Sequence, residues 1–121
     1  MSVEISSAGY LDLRNYIESA NGWKWAELRD SLGAVWKRIS TDDPRVSWTH
    51  NAEDNPLELS ITLTGSDMDM DLPEEFKTVA LFKADTGGDA LAVGDITQVI
   101  LEQETDQVII RAQIQVPQII V

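Results

Sequence analysis

Chemistry at neutral pH needs a group that titrates near that pH, or an activated nucleophile. The chain offers one histidine, His50, and no cysteine. His50 closes a predicted strand just before a polar loop, where a half-exposed histidine at a sheet margin is the expectation. No Gly-x-Ser-x-Gly elbow presents a serine. With 21 acidic side chains, some carboxylate pair will always fall at glycosidase spacing, so none is singled out. Neither catalytic residues nor a cofactor are expected. The lack of cysteine also excludes disulfides, thiolate chemistry and cysteine-based zinc sites.

Three motifs could still bind something. Asp67, Asp69 and Asp71 alternate as at the start of a calcium loop, with Glu75 at the ninth position. The sixth position is Leu72 instead of glycine and the twelfth is Thr78 instead of glutamate, which departs from the EF-hand pattern. The trio is a weak hard-cation candidate, and Asp on the solvent side of a loop is the simpler expectation. All four tryptophans, Trp23, Trp25, Trp36 and Trp48, fall in one stretch. Buried, they form an aromatic heart; exposed, they form a sugar-stacking platform or a protein contact. On facing strands, Trp25 could meet Lys37 or Arg38 in a cation–π contact. The third motif is the C-terminal stretch, where Val116, Ile119, Ile120 and Val121 are apolar. It either tucks onto its own sheet or adds as a strand to a neighbouring subunit.

Charge narrows the partners. Residues 53–106 hold 14 of the acids and only two bases, Lys77 and Lys83, whereas residues 1–52 are near neutral and 107–121 add only Arg111. A formal net charge of −12 opposes phosphate backbones and anionic membrane surfaces. Neither nucleic acid nor membrane is an expected partner. Met1-Ser2-Val3-Glu4-Ile5 has no basic n-region, so no signal peptide is expected, and no apolar run is long enough to predict a membrane span.

The elements that must position these residues are mostly strands. A 121-residue chain with 43% hydrophobic residues suits one domain with its own core. Apolar alternation predicts strands over 23–29, 34–40, 45–50, 57–64, 77–84, 90–93, 96–103 and 108–116. Turns are expected at 30–33, 41–44, 85–89, 94–95 and 104–106, where Asp, Gly and Pro cluster. Residues 57–64 alternate most cleanly, with Leu57, Leu59, Ile61 and Leu63 inward. A short helix is expected over 12–20, with Gly22 as its cap. The expected fold is all-β: an antiparallel sandwich or small barrel of seven or eight strands. Residues 1–22 form an N-terminal extension and 117–121 an apolar tail.

Arg45-Val46-Ser47-Trp48-Thr49-His50-Asn51, the run from Leu57 to Asp67, Ala84-Asp85-Thr86-Gly87-Gly88-Asp89-Ala90-Leu91 and Ile114-Gln115-Val116-Pro117-Gln118 together resemble small β-rich structural proteins of tailed bacteriophages. That resemblance implies a non-enzymatic virion component of the neck, tail or fibre-attachment region. It would be made in the host cytoplasm and would assemble as a homo-oligomer with other virion proteins. Two alternatives follow from the residues themselves: a carbohydrate-binding or receptor-recognition module using the tryptophans, and an acidic inhibitor that mimics DNA.

Overall fold

The computed structural model describes residues 3–19, 22–49 and 56–114. One helix, α1 (Ser7–Glu18), precedes seven strands: β1 (Trp25–Arg29), β2 (Val35–Ser40), β3 (Val46–Trp48), β4 (Leu57–Thr64), β5 (Glu74–Phe82), β6 (Ala92–Leu101) and β7 (Gln107–Ile114). They form two antiparallel sheets, ordered β2-β1-β5-β6 and β3-β4-β7. The inner faces meet as a small sandwich.

The core follows from period-two alternation. Leu59, Ile61 and Leu63 of β4 pack against Ala26 and Leu28 of β1 and against Phe76, Val79 and Leu81 of β5. Phe76 has no exposed surface and receives the edge of Trp36, with ring centroids 5.4 Å apart. The β1–β2 hairpin turns as its sequence predicts. The Asp30 side chain accepts hydrogen bonds from the Leu32 and Ala34 amides, and Gly33 takes φ +84°.

Alternation also places Trp25 and Glu27 on the outer face of β1, since Ala26 and Leu28 point inward. Glu27 is nonetheless buried, because Arg29 and Arg38 close over it at 2.7 and 3.0 Å. The Arg38 guanidinium then lies 3.4 Å from the centre of the Phe82 ring and donates to the carbonyls of Ala84 and Gly87. This fixes the 84–88 turn against the sheet. Trp25 faces Ser40 in the register, so the cation–π contacts expected of it form elsewhere. Arg38 lies over Phe82, and Lys37 lies over Trp36 at 5.7 Å.

Two local expectations are corrected. The helix begins at Ser7, before the expected Asp12, because Ser6 caps it by accepting the Gly9 amide hydrogen. It ends at Glu18 with Ser19 as its C-cap, and Gly22 serves close packing instead of capping. A Cβ there would sit 2.0 Å from the Tyr16 carbonyl oxygen. Only glycine lets the chain pass so close to the helix end. The second correction concerns Gly94-Asp95, which reads as a turn but lies inside the continuous strand β6. The β5–β6 register shifts between Phe76 and Thr78, and the Lys77 ammonium donates to the Ile96 carbonyl there. A bulge absorbs the irregularity that a turn would otherwise have taken.

Helix α1 lies across the end of the sandwich where β4 starts and β7 stops. Its Ile17 packs with Leu57, flanked by Tyr10, Trp23, Trp48 and Ile114. On the same helical stripe Arg14 is 4% exposed, and its Nε and Nη2 have no hydrogen-bond partner among the described residues.

Replacing Phe76 by alanine removes the ring on which Trp36 rests. The expected cost is about 3–5 kcal/mol, measured by urea unfolding. Loss of less than about 1 kcal/mol would place the centre of the core elsewhere.

Candidate functional site

A two-sheet sandwich has two open sides unless something covers them. The side bounded by β2 and β3 is covered. The 65–73 connection crosses from β4 to β5 there, held down by charge. Arg45, just before β3, binds three carboxylates: Asp43 at 3.0 Å, Asp67 at 3.2 Å and Asp69 at 2.9 Å. Lys37 of β2 reaches Asp69 at 2.8 Å. Asp67 also accepts from the Thr64 hydroxyl at 2.6 Å. Met70 and Leu72 of the same connection pack on the core. Gly65 lets it start so close to the β6–β7 turn, since a Cβ there would meet the Gln103 carbonyl oxygen at 1.9 Å.

The electrostatics agree with the geometry. Hydrogen bonds from Arg45 hold the Asp69 carboxyl far below its ordinary range against the opposing effect of burial, with Lys37 assisting. Arg45 likewise lowers Asp43. Burial opposes ionisation of Asp67, yet Thr64 and Arg45 lower it on balance. Arg45 in turn is held more firmly protonated than a free arginine, chiefly by Asp43 and Asp69. Asp67 and Asp69 thus take Arg45 and Lys37 as their counter-charges. Asp71 stands apart, exposed, and its charge adds to burial in raising the Glu74 carboxyl. Among the described residues no three His, Cys, Asp or Glu side chains are grouped to hold a metal ion.

Among the described residues the opposite side is open. β6 and β7 are the edge strands of their sheets, so each leaves one row of backbone N–H and C=O groups without a partner among those residues. Between them runs a cleft of about 330 Å³, lined by Val79, Leu81, Ala92 and Ile96 of one sheet and by Ala112 and Ile114 of the other. It continues toward Val99 and Val108 as a second hollow of about 290 Å³. Asp95 on the β6 lip and Arg111 on the β7 lip line both parts. Val93 and Ile109, which border these hollows, and Ile100 are 58%, 50% and 48% exposed.

The tryptophans do not converge on one platform. Trp36 joins the core, Trp23 and Trp48 pack at the helix end, and Trp25 lies on the outer face of β1; each is half-buried. His50, Val116, Ile119, Ile120 and Val121 lie outside the described residues. Asp95 and Arg111 carry no signal in the linear sequence, because only the topology puts them on facing lips of one cleft. No helix among the described residues is long and apolar enough to cross a membrane.

The aspartates around Arg45 are all lowered in the folded chain. Their stabilisation is therefore complete above the unfolded value near pH 4 and disappears as pH falls through the lower folded values. Arg45→Met should cost about 2 kcal/mol at neutral pH and flatten the loss of stability below about pH 4. Urea unfolding across pH measures both, and an acid limb as steep as in the parent chain would contradict the network's role.

No protein-family model matches the chain, and neither the curated proteins nor the solved structures contain a match to it.

Proposed function

We propose that this chain is a non-enzymatic structural protein that works by self-association. The observation that carries this is the open side of the sandwich, where two unpaired edge strands bound an apolar cleft. Exposed edges of this kind are normally short, bulged, charged or covered, because they template pairing with another chain. Here β6 and β7 run ten and eight residues; β6 has a bulge and carries Asp95, yet exposed aliphatic side chains flank both strands. The β2–β3 side of the same molecule shows the usual protection, a covering connection held by ion pairs.

The resemblance to tailed-phage structural proteins supports reading such an assembly as a virion component, and homo-oligomers are mostly closed and symmetric. The concentration of acids in residues 53–106 favours protein partners over polyanions.

Light scattering over a dilution series of the full chain tests the proposal. A mass at least twice that of the single chain, falling on dilution, is the expected result. A monomer at every concentration up to about millimolar, where even weak self-association shows, would overturn it.

A further inference from the structure

Resting on that self-association, we propose that the open side is a two-fold contact with a second copy of this chain. In it, β6 of each protomer pairs with β7 of the other, and Asp95 of one faces Arg111 of its partner.

Symmetry and charge lead to this arrangement. A two-fold contact uses one patch on both copies, so the patch must complement itself. Two axes could bring these sides together. An axis perpendicular to the strands, running from one sheet to the other, sets β6 against β6 and β7 against β7. An axis parallel to the strands sets β6 against β7 twice. Residues 85–106, which are β6 and the turns at its two ends, carry six acids and no base. Only Asp95 of these lies within β6 itself, so the first axis sets two Asp95-bearing strands together with no base on either. β7 carries no acid and one base, Arg111, so the second axis gives Asp95 of each copy a strand that supplies a cation.

The second axis also satisfies the backbone. β6 and β7 are joined by a short turn at 102–106 and run in opposite directions along the cleft, Ala92 lying near Ile114 and Val99 near Val108. Rotation about an axis parallel to the strands preserves those directions, so each new β6–β7 pair is antiparallel. It also preserves height along the strands. Asp95 and Arg111 share one level, where the two parts of the cleft meet, and so they face each other across the contact. Both are available: Asp95 accepts only from the exposed Thr78 hydroxyl at 2.9 Å among the hydrogen bonds it makes to described residues. The Arg111 side chain is 65% exposed and reaches Glu58 at a loose 3.9 Å. Each four-stranded sheet would thereby continue into the partner's three-stranded one, and the two clefts would close on each other.

Charge reversal tests this directly. Asp95→Arg and Arg111→Asp each place like charges at both symmetry-related contacts. Each should weaken the dimer at least tenfold in sedimentation or light scattering, with unchanged circular dichroism as the control for folding. The double variant Asp95→Arg, Arg111→Asp restores opposite charges and should regain the dimer. If the parent chain is a monomer throughout, the self-association proposed above falls, and this contact with it. If the parent assembles but neither single reversal weakens it, the contact lies on another surface and this inference alone is overturned. Singles that dissociate without rescue in the double variant would equally overturn the Asp95–Arg111 pairing.

Discussion

Arg45 is the residue on which the shape of this molecule most depends. Its guanidinium is held by Asp43, Asp67 and Asp69 at once, and Lys37 ties Asp69 to the other sheet. Three carboxylates against two cations leave the cluster close to neutral, so it can be half-buried without stranding a charge. The connection that carries two of these aspartates also inserts Met70 and Leu72 against the core. Charge and apolar burial thus act on the same few residues, and together they close one side of the sandwich.

Among the described residues the other side has no equivalent. The chain passes from β6 to β7 by a short turn and leaves both strands as edges. The helix, which might have covered them, lies across the end of the sandwich instead, held by Ile17 against Leu57. One closed side and one open side make the molecule asymmetric about its own core. A subunit that must add to others without growing into fibres benefits from that arrangement, since a two-fold contact through a single open side closes after two copies.

Much of the fold is legible in the sequence. Alternation in 57–64 defines β4 to the residue, and the Asp30–Gly33 turn and the paired glycines at 87–88 stand where the structure has them, the latter with φ of +67° and +76°. What stays hidden is non-local. Asp67, Asp69 and Asp71 look like a cation loop because spacing alone cannot reveal that Arg45 and Lys37, 22 to 32 residues earlier, supply the counter-charge. Gly94-Asp95 looks like a turn because a bulge that keeps the strand intact depends on its partner, β5. The same limit hides Asp95 and Arg111, whose juxtaposition exists only once β6 and β7 become neighbouring edges. Trp25 misleads because lying on facing strands does not decide which cation reaches which ring: Arg38 bonds Glu27 and lies over Phe82 instead.

Hydrogen exchange as a function of protein concentration tests the contrast between the two sides most directly. Outward-facing amides on the free edges of β6 and β7 should exchange freely in dilute solution and become protected as concentration rises, while β2 and β3 stay unchanged. Protection that is independent of concentration along β6 and β7, or that grows instead on α1 or the β2–β3 side, would contradict an open edge that serves as the contact.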